Sequence, residues 1–275
     1  MTTDIVVVGG GPTGVELSGS LAELKKNILP RDYPDMDFSK LNIYLLEAGP
    51  ATLGPMSKIS QQKSQEYLES MGVQVKLNTQ VKDYDGRSVL LADGTTIETH
   101  TLIWAAGVTG NVPQGIDASL LVRGNRIKVD AYNRMEGSDS IFVLGDIAYM
   151  EEEHFPNGHP QVAPVAIQQG TLLATNLLNL RQGKSAKAFR YKDKGAMATV
   201  GRNLAVVDVP KPKLHFGGFF AWLIWMGLHL MLILGVKNKF FVFTNWLYNY
   251  FTYDQSLRLI FKEFYRREGE EGDGK

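Results

Sequence analysis

The chain has 275 residues, 44% of them apolar and 21% charged, and its 29 basic residues balance 29 acidic ones. This composition supports a packed core and excludes wholesale disorder, and the missing basic excess excludes nucleic acid as a partner. There is no cysteine, which excludes disulfides, thiolate metal sites and cysteine nucleophiles.

The length allows one large domain or two small ones. No signal peptide opens the chain; Met1-Thr2-Thr3-Asp4 runs straight into Ile5 to Val8, a β-branched run suited to a strand buried on both faces. Gly9 to Gly14 is a glycine-rich turn. Val15 to Leu29 has helical spacing, with Leu17, Leu21, Leu24 and Ile28 on one side, and Pro30 is expected to stop it. A polar stretch from Arg31 to Lys40 leads to a second strand, Leu41 to Leu46, an amphipathic helix, Ser57 to Met71, and a third strand, Val73 to Leu77. From Val81 to Ile97 the period becomes two, and Asp85-Gly86 and Asp93-Gly94 mark hairpin turns. Leu102 to Trp104 reads as a strand entering Ala105-Ala106-Gly107, and Ile141 to Leu144 as a strand ending at Gly145-Asp146. A helix is expected from about Val162 to about Leu180. Phe216 to Val236 is almost wholly apolar, broken only by His229, and Phe240 to Tyr253 is crowded with aromatics. The tail from Glu268 is rich in Gly, Glu and Asp and reads as disordered.

The glycine turn carries the first chemistry. Gly9-x-Gly11-x-x-Gly14 lies between a predicted strand and a predicted helix, the context a dinucleotide site requires. Gly9 permits the tight turn, Gly11 lets backbone approach a pyrophosphate, and Gly14 lets helix and strand pack closely, with Pro12 and Thr13 opening the helix. Unpaired N–H groups at the helix start favour phosphate. The bland alternative is a glycine-rich turn without a ligand. Glu47, after the second strand, is placed to accept from both ribose hydroxyls and to repel a 2′-phosphate, which favours NAD over NADP. It lies later than the usual spacing, and Pro30 to Lys40 reads as the inserted loop responsible. A solvated strand-end Glu is the alternative.

With Gly9 to Glu16, Ala105-Ala106-Gly107 and Leu144 to Ala148 in hand, the chain resembles the two-dinucleotide-binding flavoproteins. Val165-Ala166-Ile167-Gln168-Gln169-Gly170, Asp193 to Arg202 and Asn245 to Thr252 narrow the resemblance to the type II NADH dehydrogenases. The resemblance implies transfer of electrons from NADH through FAD to a membrane quinone without proton pumping. It further implies an α/β fold: a Rossmann-like NAD-binding domain with an inserted β-meander (1–112), a partial FAD-binding domain with the quinone-site helix (113–190), and C-terminal amphipathic membrane helices (191–275). Two departures matter. The family carries an earlier GxGxxG for the ADP half of FAD, whereas the single copy here is similar to the family's second, NADH-binding one, so the N-terminal part of the FAD domain reads as absent. In the family's Ala-Gln-x-Ala-x-Gln motif, Pro164 stands where the first glutamine would be.

The resemblance places Asp146 on a ribityl hydroxyl of the flavin, with Ala106, Gly107, Gly145 and Ala166 around the cofactor; Gly-Asp after a strand is also a common turn. Hydride transfer from nicotinamide to flavin needs no acid or base, so no catalytic dyad is expected. Glu16 is the residue the resemblance sets where nicotinamide meets flavin, and it could relay the protons that quinone reduction needs. As a first-turn Glu favoured by the helix dipole it has an equal structural reading. Gln168 and Gln169 are the expected donors to a quinone carbonyl, though glutamines on a helix surface are usually just solvated. The absence of cysteine sets the chain apart from disulfide and sulfide:quinone reductases.

The apolar run at Phe216 is long enough to span a bilayer. A monotopic attachment is preferred, because the aromatic stretch that follows and Lys237, Lys239, Arg258, Lys262, Arg266 and Arg267 suit an interface with a lipid bilayer surface. The expected location is a peripheral membrane protein on the cytoplasmic face, with a homodimer left open. Two other functions stay in view: a membrane-attached nucleotide-binding remnant without turnover, and a soluble reductase of an electron-transfer protein.

Overall fold

The computed structural model describes residues 4–252. The Gly/Glu/Asp-rich tail and the basic residues from Arg258 to Arg267 lie outside them.

The first strand, β1 (Ile5–Val8), lies at the centre of a parallel sheet with β2 (Ile43–Leu46), β3 (Val73–Lys76) and β7 (Thr101–Trp104), in the order β3-β2-β1-β7. Alternation decides what each face meets. Val7, Ile43, Leu45 and Val73 point towards the helices α1 (Pro12–Glu23) and α3 (Lys58–Ser70), while Val6, Val8 and Leu46 point the other way, onto Val89 and Leu91. These last belong to the antiparallel meander β4 (Val81–Tyr84), β5 (Ser88–Leu91) and β6 (Thr96–Glu98), as the period of two and the two Asp-Gly turns predict.

Two helix predictions are corrected. The first helix starts at Pro12, and it does not end at Pro30: a π turn, Leu24–Ile28, feeds a short helix α2 (Leu29–Asp32). Pro30 sits in the first turn of α2, where its missing N–H would have had no partner. The strand expected at Ile141 to Leu144 is also absent; only Phe142 makes an isolated bridge, to Arg134. Asn133 takes over there, its side chain donating to the Val143 carbonyl while its own carbonyl accepts from the Val143 N–H. This middle part contributes β8 (Leu121–Val122), β9 (Arg126–Lys128), β10 (Ala148–Tyr149) and the helix α4 (Ala163–Arg181), around a small core of Ile127, Val129, Val143, Ala148, Met150 and Phe189.

The largest feature the sequence did not disclose is an antiparallel sheet, β11 (Ala196–Gly201), β12 (Leu204–Val209) and β13 (Leu214–Gly217). It covers the outer side of α1 and α3, so that Ala198, Val200 and Val206 share one core with Val7, Val15, Ile43 and Leu68. Gly19 permits the approach: a Cβ there would overlap the Val200 carbonyl oxygen. The join is also polar. Ser57 caps α3 by accepting from the Ser60 N–H, and Asp208 of β12 accepts from Ser57 N (2.6 Å), Ser57 Oγ (2.8 Å), Ser60 Oγ (2.6 Å) and His215 Nδ1 (2.9 Å). Burial pushes the Asp208 carboxyl up, but these hydrogen bonds outweigh it and hold it below the ordinary Asp value. A depressed carboxylate stabilises the fold above the unfolded-state pKa, and that contribution is lost as pH falls through the folded one. Asp208→Asn is therefore expected to lower the Tm at neutral pH and to narrow its gap to wild type in strong acid, as read by thermal melts across pH.

The long apolar run resolves into three pieces. Phe216 and Gly217 end β13, α5 takes Phe219–Leu232, and after a break at Gly235 (φ +83°) α6 takes Val236–Thr252. At about 1.5 Å per residue the 14 residues of α5 reach about 21 Å, short of a ~30 Å hydrocarbon core. Among the described residues no helix is long and apolar enough to cross a membrane.

Candidate functional site

The glycine turn closes the C-terminal end of β1. Gly9 takes φ +107°, a left-handed conformation, and a Cβ on it would lie 2.7 Å from the backbone of Ala105 and Ala106, which pass directly against it. A Cβ on Gly14 would overlap the Gly9 carbonyl oxygen, so helix and strand are as close as backbone allows. Around Gly11 there is nothing within 4 Å, leaving an open approach at the start of α1. Gly11 is the N-cap and brings no side-chain cap, while Pro12 and Thr13 are exposed beside it. The first-turn N–H groups and the helix dipole therefore face the opening, an arrangement into which a dinucleotide pyrophosphate fits.

Glu47 leaves the end of β2 and reaches this turn. Its Oε2 accepts from Gly10 N at 2.5 Å and its Oε1 from Gly49 N at 2.6 Å. Each carboxylate oxygen keeps a lone pair for a further donor such as a ribose hydroxyl. The loop before β2 delivers Glu47 to the C-terminal end of that strand, beside the glycine turn.

A second opening lies where the chain leaves β7. Ala106 and Gly107 (φ +90°) are exposed, and the following residues line a cleft of about 560 Å³ with Asp146, Gln161, Ala163 and Ala166. Asp146 sits on a 3₁₀ turn, Gly145–Ile147, with its carboxylate exposed. Gly145 takes φ +67°, and a Cβ there would lie 3.2 Å from Ala166 Cβ, which fixes the turn against α4. The segment 105–111 thus touches the glycine turn at one end and the Asp146 cleft at the other. The cleft, the carboxylate and the uncapped start of α4 suit the flavin end of FAD; the chain holds no second GxGxxG for the ADP end.

The two glutamines are not simply solvated. Gln169 is buried, and its Oε1 accepts from Gly145 N at 2.7 Å. Gln168 is clamped to the backbone of Lys192, donating to its carbonyl and accepting from its N–H, both at 3.1 Å. Gln169 therefore holds the turn that carries Asp146, a role that spacing alone does not reveal.

Glu16 lies one turn into α1, half-buried against β11, its Oε1 accepting from Thr199 N at 3.2 Å. Burial raises its carboxyl above the ordinary Glu value, against the opposing pull of the Thr199 N–H and of His229 on α5. Close by is a cavity of about 360 Å³, lined by Glu23, Thr199, Arg202, Trp222, Trp225 and Tyr250 among others. Its wall is closed by Glu23 accepting from the Arg202 N–H and by the Arg202 guanidinium stacked 4.3 Å over the Tyr250 ring. From the sequence, Thr199, Arg202 and Tyr250 carry only the family resemblance, and none of the lining residues is given a role in a site.

Residues 1–170 match the family described as pyridine nucleotide-disulphide oxidoreductase, and residues 194–253 match the NDH2 C-terminal domain. The chain is 36% identical over 254 residues to the type II NADH:quinone oxidoreductase NdhA of Mycobacterium tuberculosis, covering 88% of this chain and 52% of that protein. It is 31% identical over 261 residues to an internal alternative NAD(P)H-ubiquinone oxidoreductase of Arabidopsis thaliana mitochondria, covering 88% of this chain and 50% of that one. The chain thus spans about half the length of these relatives. In three dimensions it is similar to NDH2 from Plasmodium falciparum in complex with NADH, with a TM-score of 0.79 at 20% identity, covering 91% of this chain and 66% of that one.

Proposed function

The chain belongs to the pyridine nucleotide-disulphide oxidoreductase family, among the type II NADH dehydrogenases, and on that premise we propose that it passes electrons from NADH through FAD to a membrane quinone without pumping protons. The observation that carries this reading is the open Gly11 backbone beside the Glu47 carboxylate, a site shaped for the adenosine half of NAD. Gly9, Gly14, Pro12 and Thr13 shape the phosphate cradle, and Glu47 takes the ribose. Disulfide chemistry, which the family's name suggests, is closed to these 275 residues, since none is cysteine.

FAD, when bound, accepts the hydride and releases electrons to the next acceptor. Asp146 would hold its ribityl chain, with Ala106, Gly107, Gly145 and Ala166 forming the backbone and methyl walls. Gln169 keeps the Asp146 turn in place. Gln168 has one amide hydrogen beyond its bond to Lys192, and this hydrogen suits a quinone carbonyl. We assign 1–112 to the nucleotide and 113–190 to the flavin; within 191–275 only α5 and α6 are assigned to the membrane, because β11–β13 pack into the core of the nucleotide part.

The membrane part rests on exposed apolar surface. Phe220, Met231, Phe240 and Phe251 are each at least 65% exposed, along helices too short to cross a bilayer. Exposed large apolar side chains gathered on two successive helices suit an interaction surface. We read it as monotopic attachment to the cytoplasmic leaflet, where NADH is available, with Lys237 and Lys239 towards anionic headgroups.

NADH oxidation by the purified chain, supplied with FAD and quinone-loaded vesicles, tests the function. A chain that binds NADH yet stays inert under these conditions is a binding module, and the proposal fails. Affinity for the nucleotide is a separate measurement. Wild type is expected to bind NADH more tightly than NADPH by calorimetry. Glu47→Ala should weaken NADH binding by roughly 10-fold or more, the size of a lost charge-assisted hydrogen bond. Glu47→Arg should favour NADPH. Equal affinities in wild type would remove Glu47 from the ribose.

A further inference from the structure

We propose that Glu152 is a positioning residue for the quinone end of the reaction: its carboxylate fixes the peptide at Tyr191, and through the next peptide it fixes the orientation of the Gln168 amide. The inference rests on the quinone reading of Gln168 given above and names what aims that amide.

From Lys184 to Gly195 the chain forms neither helix nor strand, so no ladder sets its path. Side chains do so instead. Asn176 of α4 holds Lys187, accepting from its N–H and donating to its carbonyl, both at 2.8 Å. The Ala131 carbonyl takes the Phe189 N–H at 2.7 Å. Glu152 Oε2 accepts from Tyr191 N at 3.2 Å, and Gln168 holds both the N–H and the carbonyl of Lys192. Glu152 and Gln168 therefore grip two consecutive N–H groups of one irregular segment.

Glu152 is itself fastened. The same Oε2 accepts from His159 Nε2 at 2.8 Å. The His159 ring is buried, and its Nδ1 has no partner among the described residues, so the bond to Glu152 is the ring's one polar attachment. Phe155, Phe189 and Tyr191 surround the imidazole, with ring centroids at 5.2, 5.3 and 5.9 Å. The His159 carbonyl accepts from Arg126, which also donates to the carbonyl of Ala148, the residue that follows the Asp146 turn. Burial opposes the charge on Glu152, but the bonds from His159 and Tyr191 outweigh it and hold the carboxyl below the ordinary Glu value. At neutral pH it is thus an ionised acceptor serving two donors.

An amide tied to one peptide through both its oxygen and one N–H cannot turn, and its second hydrogen keeps one direction. Without the anchor at Tyr191 the Lys192 peptide loses its fixed plane, and the Gln168 amide becomes an ordinary solvated side chain. A donor that must then be ordered when quinone arrives weakens quinone binding.

Three variants judge the proposal. Glu152→Gln can set its Oε1 where Oε2 stands and accept from both donors. Glu152→Met has nearly the same shape and accepts from neither, and Gln168→Leu removes the amide. The first readout is the Gln168 side-chain NH₂ in ¹⁵N-labelled chain without FAD or quinone, assigned by its loss in Gln168→Leu. In wild type and Glu152→Gln one of its hydrogens is expected to be protected from exchange with water. In Glu152→Met that protection should vanish, while the Asn176 amide keeps its own and so reports that the segment has not come loose. A protected Gln168 hydrogen in Glu152→Met overturns the proposal. Should Glu152→Met not fold, wild type decides: the Tyr191 and Lys192 amides are expected to show equal protection, and Lys192 exchanging freely beside a protected Tyr191 overturns it. The second readout is quinone reduction by the FAD-supplied chain on vesicles. Glu152→Met should raise the quinone KM about 10-fold, with kcat and NADH affinity unchanged, and Glu152→Gln should restore it to within about twofold of wild type. Equal losses in the two variants, or a fall in kcat at unchanged KM, also overturn it. If wild type reduces no quinone, or Gln168→Leu keeps the wild-type KM, the quinone reading falls, and the amide signal alone decides whether Glu152 fixes Gln168.

Discussion

Gly11→Val is expected to abolish NADH binding while leaving the Tm within a degree or two of wild type, and Gly14→Ala to lose both. The two glycines stand three residues apart in one motif, yet their surroundings differ. Around Gly11 a Cβ would meet nothing, and its φ of −69° suits any residue, so the fold has no objection to a side chain. Only a pyrophosphate lying on that backbone would object. Losing the contact should weaken NADH at least 100-fold, about 3 kcal/mol. At Gly14 a Cβ would overlap the Gly9 carbonyl oxygen, a backbone atom that cannot move without breaking the turn. Overpacking against backbone costs about 1–3 kcal/mol or more, so the melting point falls together with the affinity. Calorimetry and thermal melts on the two variants separate a ligand role from a packing role. If Gly11→Val binds NADH normally, no nucleotide lies on this turn.

The second large effect concerns the membrane. Phe220→Asp combined with Met231→Asp should reduce binding to vesicles about 1,000-fold. Phe220 is 73% and Met231 76% exposed, and the ring contact of Phe220 is with its neighbour Phe219, so the double substitution is expected to leave the fold intact. Burying each in the acyl boundary would contribute about 1.5–3 kcal/mol, and a carboxylate adds a desolvation cost. Vesicle co-sedimentation reads the loss. High salt should displace wild type only in part, because screening weakens the lysine contribution and leaves the apolar one. Retention of the double variant on vesicles would show that another surface makes the contact. Quinone reduction on vesicles should fall with binding, while NADH affinity stays unchanged, since neither side chain forms part of the glycine turn.

What the sequence disclosed was local. The glycine turn, the carboxylate after β2 and the Asp-Gly hairpins are written in short stretches whose backbone demands are specific. The parallel strands announced themselves through β-branched runs. What stayed hidden depended on partners distant in the chain. Met197 to Val200 and Leu204 to Val209 are strand-like, but nothing in them says that they roof α1 and α3. Gly19 looks like a weak point in a helix until Val200 is seen against it. Gln169 reads as a surface amide until Gly145 claims its oxygen. The run at Ile141 misled because it is apolar, whereas its backbone groups are satisfied by Asn133 and the neighbouring loop instead of by a ladder. Pro30 misled because a π turn resets the helix before it.

The roof of β11–β13 has a bearing on how the molecule opens. Residues from the first and last thirds of the chain interlock in one core, whereas the middle third keeps its own. Amide exchange should then sort the backbone by core and not by position in the chain. Protons of β1, α1 and β12 should be released together, in a slow common event, and those of β9 and α4 on a different schedule. The helix α1 is consequently fastened by residues from both the first and the last third of the chain, and the turn at Asp146 belongs to the part expected to open independently.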